Sequence, residues 1–175
     1  MADLKLKDGG EVYLCRTKLI ALTVSDLIKT AFYKNHLDLG AKMVPYSGYY
    51  MPVFYSGLKE EHSSVRNDSG MFDVSHMGEF TVSGPDALEL LQHITSNDVS
   101  ALYDGKIQYS CMPNGKGGIV DDLLVYRKSE NDYLLVVNAG NKVKDWDWIN
   151  SIAKTKNFKA SSSSVSSGRN YAIMI

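Results

Sequence analysis

Two adjacent carboxylates inside apolar sequence are the residues of this chain whose type and position most favour chemistry. Asp121 and Asp122 lie in IVDDLLVY, with aliphatic residues on both sides. A buried carboxylate costs free energy unless a partner hydrogen-bonds it, so each acid must face water, another part of the protein or a ligand. The function of the chain depends on which of these Asp122 faces.

Side-chain alternation along a strand separates the two acids. Successive residues point to opposite faces, so only one acid can face a given pocket. Asp122 shares its face with Leu124 and Tyr126, a combination that suits a flat heterocycle carrying N–H donors. Tyr109 and Asn138, on neighbouring strands, are expected to converge with Asp122. Alternatively, Asp122 lies near a strand end and caps a turn or pairs with a lysine, and spacing alone does not decide between the two.

Metal, phosphate and serine-hydrolase chemistry have weaker support. Residues 115–118 (GKGG) precede a strand, and the lysine is not followed by Ser or Thr, so a hairpin turn is favoured over a phosphate loop. The sequence has no G-x-S-x-G motif. The histidines show neither HxxxH nor HExxH spacing, so no metal site is predicted. They are His36, His62, His76 and His93.

Composition and charge restrict the class of protein. A chain of 175 residues, 44% hydrophobic and 22% charged, is typical of one globular domain with additional sequence. A net charge of -1 without a Lys/Arg run predicts neither a nucleic-acid nor a membrane partner. Cys15 and Cys111 are far apart and form no CxxC, so free thiols in a reducing compartment are expected. Without an apparent targeting segment, a cytoplasmic location is expected.

Hydrophobic periodicity and capping residues predict the helices. Ser25 caps a first helix, in which Leu27, Ile28, Ala31 and Phe32 follow helical spacing and which Gly40 ends. Further helices are predicted from about 59 to 67, after 83–86, and from Asn138 through Ile152. Trp146 and Trp148, two residues apart, cannot share a helix face, which favours one in the core and leaves the other for an interface.

Strands are predicted at MFDVS, EFTVS, IQYSCM, IVDDLLVY and YLLVVN. The last three share one sheet because turn sequences of hairpin type connect them. Residues 43–57, rich in aromatic residues, Gly and Pro, are predicted to form an ordered loop. Residues 1–24 contain a short hairpin or an appended segment. A serine-rich run at 161–167 leads into YAIMI, an apolar ending, so we expect these residues to be the front part of a longer protein.

Six blocks follow one another along the chain: GAKMVPYSGYYMPVFYSG, EEHSSVR, FDVSHMGEF, SGPDALELLQHITSNDV, QYSCMPNGKGGIVDDLLVYR and LLVVNAGNKVKDW. In this order they closely resemble the amino-terminal half of aminomethyltransferases, the T-proteins of the glycine cleavage system. The resemblance extends from Leu27 to Trp148 and weakly to Ile175. It implies an α+β fold, an antiparallel sheet with packed helices. Residues 25–175 would form an N-terminal folate-binding domain, truncated at its C-terminus, after a segment, 1–24, without family resemblance.

The resemblance also implies an activity and a site. Family members transfer the methylene carbon from the aminomethyl-lipoyl H-protein to tetrahydrofolate and release ammonia. The implied location is the cytoplasm, or the mitochondrial matrix in a eukaryote. The catalytic aspartate of the family corresponds to Asp122, the second of the pair. The implied folate-lining positions are Met77, Tyr109, Asp122, Leu124, Tyr126 and Asn138.

Departures from the family pattern leave two other hypotheses open. The family usually has about twice this length, and its later domains supply an acidic residue and an arginine to the folate. Thr81 and Tyr49 replace an aliphatic residue and a tryptophan. The chain is alternatively a folate-binding module without aminomethyl transfer, like related demethylating enzymes or tRNA-modification and iron-sulfur assistants. A third hypothesis is an incomplete fold that associates through an exposed sheet edge.

Overall fold

The computed structural model describes residues 4–5, 11–14, 21–22, 24–164 and 172–174, with side chains for 24–164. Two compact units are formed, one of Met1–His76 with Asn170–Ile175 and one of Met77–Arg169. In the first unit, β1 (Leu4–Lys5), β2 (Glu11–Leu14) and β3 (Ala21–Leu22) form a three-stranded antiparallel sheet. The expected short hairpin at the start of the chain is therefore present, with one further strand.

The rest of the first unit combines short helices with two-stranded sheets. Its elements are α1 (Tyr33–Asp38), β4 (Lys42–Tyr46), β5 (Tyr49–Phe54), α2 (Leu58–Asn67), β6 (Met71–Asp73) and β12 (Ala172–Met174). Strand β4 pairs with β5, and β6 pairs with β12, both antiparallel. The helix predicted near 59–67 is confirmed.

Residues 43–57, predicted as a loop, instead contain the β4–β5 hairpin. Ser47 and Gly48 have φ of 48° and 84°, the pair of positive values that a two-residue hairpin turn uses to match strand twist. Pro45 and Pro52 lie in the strands, which is tolerated because both strands of a two-stranded sheet are edges. Gly and Pro therefore mark a hairpin turn and its edge strands here.

The prediction of a helix that begins at Ser25 is also wrong. Val24–Asp26 form a single 3₁₀ turn, and α1 begins only at Tyr33. Between them the Ile28 amide donates to the Gly48 carbonyl at 3.0 Å, and the Tyr50 amide donates to the Ile28 carbonyl at 2.9 Å. Because the hairpin uses both backbone groups of Ile28, that residue cannot also make helical hydrogen bonds.

A buried polar cluster connects several elements of the first unit. The Asp73 carboxylate accepts from Thr30 Oγ1 at 2.7 Å and contacts His36 Nε2 at 2.9 Å, and His36 Nδ1 contacts the Tyr55 hydroxyl at 2.8 Å. Burial by itself raises the pKa of Asp73, but hydrogen bonds from His36, Ser75 and Thr30 hold it below its usual range. The ionised acid therefore joins α1 to β6 and the end of β5.

The second unit contains the predicted central sheet. Five antiparallel strands are ordered β11, β7, β10, β9, β8, which confirms the α+β class and the shared sheet of the three predicted strands. These strands are β7 (Gly78–Ser83), β8 (Ile107–Pro113), β9 (Ile119–Ser129), β10 (Asp132–Val137) and β11 (Ser161–Ser164). The first part of the serine-rich run is thus an edge strand, in which Ser161 and Ser163 hydroxyls contact side chains of β7.

Two helices, α3 (Ala87–Ile94) and α4 (Lys142–Lys156), pack on one face of this sheet. Trp146 and Trp148 both pack against the core, and Trp146 lies edge-on to Phe80 with ring centroids 5.2 Å apart. The core therefore uses both tryptophans, whereas the sequence favoured only one of them for the core. At 100° per residue the two side chains flank the buried stripe at Asp145 and Ile149, so both reach the sheet.

The turn from β7 into α3 depends on Gly84. Its φ is 123°, and a Cβ on it would lie 2.7 Å from the Lys159 carbonyl oxygen. The backbone of residue 159 also anchors this turn, since the Lys159 amide donates to Asp86 Oδ2 at 2.6 Å. A side chain at position 84 would therefore meet immovable backbone.

We expect Gly84→Ala to lower the free energy of unfolding by roughly 1–3 kcal/mol, because it adds both backbone strain and a collision. Gly117→Ala is the matched control: its φ is 82°, but no atom lies within 4 Å of the added Cβ. Urea unfolding followed by circular dichroism measures both variants. Equal losses for the two would contradict the role of the Lys159 contact.

Candidate functional site

The strand register brings the predicted site residues onto one face of the sheet. Cys111 pairs with Asp122, and Tyr109 pairs with Leu124. Tyr126 lies between Ile107 of β8 and Leu134 of β10. Residues directly opposite each other in antiparallel strands point to the same face. Asp122 therefore lies at one end of a patch that Tyr109, Leu124 and Tyr126 continue.

Burial along β9 confirms the alternation predicted from the sequence. Asp121, Leu123 and Val125 are buried on the helix side of the sheet. Asp122, Leu124 and Tyr126 are half-buried on the opposite face, which we call the site face. The two adjacent acids therefore have different surroundings, a packed core for Asp121 and an accessible surface for Asp122.

Asp122 makes hydrogen bonds to two of the predicted residues. The Tyr109 hydroxyl donates to Asp122 Oδ2 at 2.7 Å, and Asn138 Nδ2 donates to Asp122 Oδ1 at 3.1 Å. Asp122 is the fourth of eleven residues in β9, so it is not at a turn. The alternative of a turn cap or a lysine pair does not describe these contacts.

The site face is open at Tyr109, whose side chain is 60% exposed. The hydrogen bond to Asp122, with smaller contributions from burial and nearby charges, raises the pKa of the Tyr109 phenol above its usual value. At neutral pH the phenol therefore keeps its proton and directs it at the carboxylate. The remaining lone pairs of Asp122 are available to N–H donors of a ligand.

Asn138 connects the two faces of the sheet. Its Nδ2 donates to Asp121 Oδ1 and Asp122 Oδ1, each at 3.1 Å, and contacts the Asp122 carbonyl oxygen at 3.3 Å. Met77 immediately precedes Gly78, which pairs with Val137. Continuing this register by one residue places Met77 beside Asn138, at the Asp122 end of the site face.

A further acid, Asp145, was not predicted from the sequence. It is 0% exposed on α4 and contacts Asp121. Burial, the hydrogen bond with Asp121 and the Asp121 charge raise the pKa of Asp145 to about 8. Burial acts in the same direction on Asp121, but hydrogen bonds from Asp145, Asn138 and backbone lower its pKa. The sequence did contain one indication that Asp145 is buried: helical spacing places it on the same face of α4 as Ile149 and Ile152.

Other features of the described residues do not coincide with this cluster. A cavity of about 510 Å³ in the first unit is lined by residues between Val53 and Phe72, none of them a predicted site residue. Within 24–164, no group of three His, Cys, Asp or Glu side chains is arranged to hold a metal ion. No described helix is long and apolar enough to cross a membrane.

Comparison with known families agrees with the resemblance of the sequence blocks. The family model described as the GCVT N-terminal domain matches residues 32–172. The chain belongs to this family. The match includes all of the second compact unit, and with it the whole of the Asp122 cluster, and part of the first unit. The resemblance predicted from the sequence is confirmed.

Relatives of this GCVT domain are named aminomethyltransferases. The protein from Flavobacterium psychrophilum is 60% identical over 122 residues, 70% of this chain and 34% of its own length. The protein from Deinococcus deserti is 54% identical over 127 residues, 73% of this chain and 36% of its own. The chain thus spans about a third of the length of the curated relatives it matches.

A solved structure shows the same fold. The glycine cleavage system aminomethyltransferase T from Bartonella henselae superposes with a TM-score of 0.76 and 33% sequence identity, over 85% of this chain and 40% of that one. An identity of this size, with a high TM-score, supports a shared fold rather than a chance likeness.

The Tyr109–Asp122 hydrogen bond predicts a specific spectroscopic change. We expect Asp122→Asn to lower the pKa of the Tyr109 phenol, because the negative charge that opposes phenolate formation is removed. Ultraviolet titration of the variant, with Tyr109→Phe subtracted to isolate one tyrosine, measures this pKa. An unchanged Tyr109 titration in Asp122→Asn would contradict the hydrogen bond.

The buried Asp145 predicts a pH dependence of stability. Its pKa is about 8 in the folded chain against an ordinary value of 3.8, so between these values the folded chain binds more protons than the unfolded chain. The free energy of unfolding therefore falls as pH rises from about 4 to 8, by at most about 1.4 kcal/mol per pH unit. We expect Asp145→Asn to flatten this decline in denaturant titrations at several pH values, whereas a decline of equal slope would refute the assignment.

Proposed function

We propose that this chain supplies the tetrahydrofolate-binding face and the catalytic acid of an aminomethyltransferase of the glycine cleavage system. The observation that carries the proposal is the Asp122 carboxylate, which Tyr109 and Asn138 orient at 2.7 and 3.1 Å on the site face. Membership of the GCVT family, and relatives named aminomethyltransferase, support the same assignment.

The proposed reaction transfers one methylene carbon. The substrate is an aminomethyl group on the lipoyl sulfur of the H-protein, and the acceptor is tetrahydrofolate with two N–H groups. Two carbon–nitrogen bonds form to the folate, while the carbon–sulfur and carbon–nitrogen bonds of the donor break. The two folate protons end on the lipoyl sulfur and on the released ammonia, so the products are a thiol, ammonia and methylenetetrahydrofolate. No oxidant or reductant is needed.

Asp122 has the central role in this proposal. An oriented carboxylate can accept a hydrogen bond from a folate N–H and remove its proton as the nitrogen attacks the methylene carbon. Tyr109 and Asn138 each occupy one oxygen of Asp122, which restricts the rotation of the carboxylate. The positions where folate would contact the rest of the site face are Leu124, Tyr126 and the neighbouring Met77, whose unbranched thioether adapts to the surface of a ring.

Further parts of the assignment are inferences from the family. The lipoylated H-protein would be the macromolecular partner, and the protein would act without a metal. The predicted location remains the cytoplasm, or the mitochondrial matrix in a eukaryote. Because the chain spans about a third of its relatives, residues outside this sequence would complete the folate site. The division of the sequence into a segment 1–24 and a domain 25–175 also remains a prediction.

A second candidate is a folate-binding module without aminomethyl transfer. The observation that favours this module is the 60% exposure of Tyr109. An open site face can bind a ring but does not exclude water from a reaction. The two candidates share the folate contacts of Asp122 and differ in whether the H-protein is a substrate. Binding and transfer must therefore be measured separately.

Folate binding is tested by calorimetry of the 175-residue chain with tetrahydrofolate under anaerobic conditions. We expect saturable heat, and an increase in the dissociation constant of about tenfold or more in Asp122→Asn, because a charge-assisted hydrogen bond contributes roughly 1.5–3 kcal/mol. Asp132→Asn is the matched control, since this acid forms a surface pair with Lys128. An unchanged affinity in Asp122→Asn would refute the proposed contact.

Transfer is tested with aminomethylated H-protein, tetrahydrofolate and the 175-residue chain, with ammonia release as the readout. The enzyme proposal predicts ammonia release that Asp122→Ala reduces by about 10²- to 10⁴-fold, the range for loss of a general base. Circular dichroism and thermal unfolding verify that the variant is folded. Folate binding without ammonia release would instead support the module, and equal release by the variant would remove Asp122 from catalysis.

A further inference from the structure

A second carboxyl group lies beneath Asp122, on the helix side of the sheet. Asp145 of α4 is 0% exposed. Among the described residues, neither of its oxygens nor Asp121 Oδ2 receives a hydrogen bond from an amide or hydroxyl donor. A side-chain hydrogen bond between Asp121 and Asp145 lowers the pKa of Asp121 and raises the pKa of Asp145. Two buried carboxyl groups in contact cannot both ionise without strong repulsion, so one proton is shared between them.

We propose that Asp145 is a positioning residue: it donates a proton to Asp121 and thereby holds the Asn138 amide against Asp122. The inference rests on the proposed function in one respect, that Asp122 is the acid that contacts folate. Asp145 itself touches neither the site face nor a substrate.

A continuous series of contacts connects the buried acid to the site face. Asp121 Oδ1 accepts from Asn138 Nδ2 at 3.1 Å, whereas the other oxygen, Oδ2, is buried and receives no hydrogen bond from an amide or hydroxyl donor in the described part of the chain. The same nitrogen lies 3.1 Å from Asp122 Oδ1 and 3.3 Å from the Asp122 carbonyl oxygen. A shift of Asp121 would therefore move the Asn138 amide, which holds one oxygen of Asp122. Tyr109 holds the other oxygen at 2.7 Å.

The proton makes this arrangement sensitive to pH. When the pair binds one proton, Asp145 donates and Asp121 carries the negative charge that attracts the Asn138 amide. When the proton is lost, two like charges face each other in a region of low dielectric constant and must separate. Separation withdraws Asp121 from Asn138, so Asp122 loses one of its two orienting hydrogen bonds.

The charges that act on Asp145 come from β9 and from its own helix. Burial and the charges of Asp121 and Asp122 favour the protonated form, and Lys144 opposes them. Lys144 Nζ itself donates to the Val120 carbonyl oxygen at 2.5 Å, which keeps this cation at the edge of the cluster. The Lys144 cation thus acts against the charges of two carboxylates and against burial.

The other helix on this face of the sheet, α3, carries two titratable groups. Glu89 is exposed and acts on Tyr133 of β10. The ring centroid of His93 lies 6.1 Å from that of Phe158. The main charges that act on Asp145 are those of Asp121 and Asp122 of β9 and of Lys144.

The proton is detected directly by carbon NMR of the 175-residue chain with labelled aspartate, in the absence of folate. We expect the Asp145 carboxyl signal to titrate with a midpoint near 8, and the Asn138 side-chain amide signals to shift with the same midpoint. An Asp145 that is fully ionised at pH 6, or Asn138 signals that stay constant through the Asp145 titration, would overturn the proposal.

Variants separate positioning from a merely structural role. Asp145→Asn keeps a donor to Asp121 but has no proton to lose, so the Asn138 signals should no longer titrate near pH 8. Asp145→Leu removes the donor, and its Asn138 signals should resemble those of the wild-type chain at high pH. Asp147→Asn, an exposed acid on the same helix, is the matched control and should titrate like wild type. Wild-type titration of Asn138 in Asp145→Asn would refute the proposal.

Folate affinity supplies the functional readout. If only the protonated pair orients Asp122, wild-type affinity for tetrahydrofolate falls by up to tenfold for each pH unit above the Asp145 midpoint. Asp145→Asn should retain its affinity over that range. Equal pH dependence in both chains would overturn the link to Asp122. If the chain binds no folate at any pH, the proposed function fails, while the NMR titration of Asp145 and Asn138 still decides whether the buried pair positions Asp122.

Discussion

The central physical constraint in this protein is that two adjacent carboxylates in one strand must point to opposite faces of a sheet. Asp121 is directed into the core beneath α4, where it needs donors, and Asp122 is directed to the accessible site face. Asn138 donates to both acids, because it follows the end of β10, the strand paired with β9. The buried acid and the exposed acid are therefore held by one amide.

The surrounding fold makes this arrangement rigid. Antiparallel pairing of β8, β9 and β10 places Tyr109 and Leu124 side by side. Close packing on the other face fixes the strands, as at Gly78, where an added Cβ would lie 2.7 Å from Val137 Cγ2. A carboxylate on a strand supported in this way has less freedom than one on a loop. The core thus helps to fix the position of Asp122 on the site face without touching that face.

Residue patterns along the sequence predicted the secondary structure of the second unit better than that of the first. The alternation in IVDDLLVY and the hairpin turn sequences placed Asp122, Leu124 and Tyr126 on one face, as the structure shows. The helix expected from Ser25 failed because the backbone of Ile28 pairs with the β4–β5 hairpin, a contact between residues distant in sequence. The serine run became an edge strand because β7 offered an unpaired edge, which overrides the weak strand preference of serine.

By itself the sequence determined the family, the α+β class, the face on which Asp122 lies and the identity of its neighbours, because these follow from ordered motifs and from strand periodicity. Only the tertiary structure decided that Tyr109 and Asn138 hydrogen-bond Asp122, and that Asp145 meets Asp121 in the core. Asp145 and Asp121 are far apart in sequence and belong to different elements. Their contact depends on how α4 packs on the sheet, which side-chain periodicity does not encode.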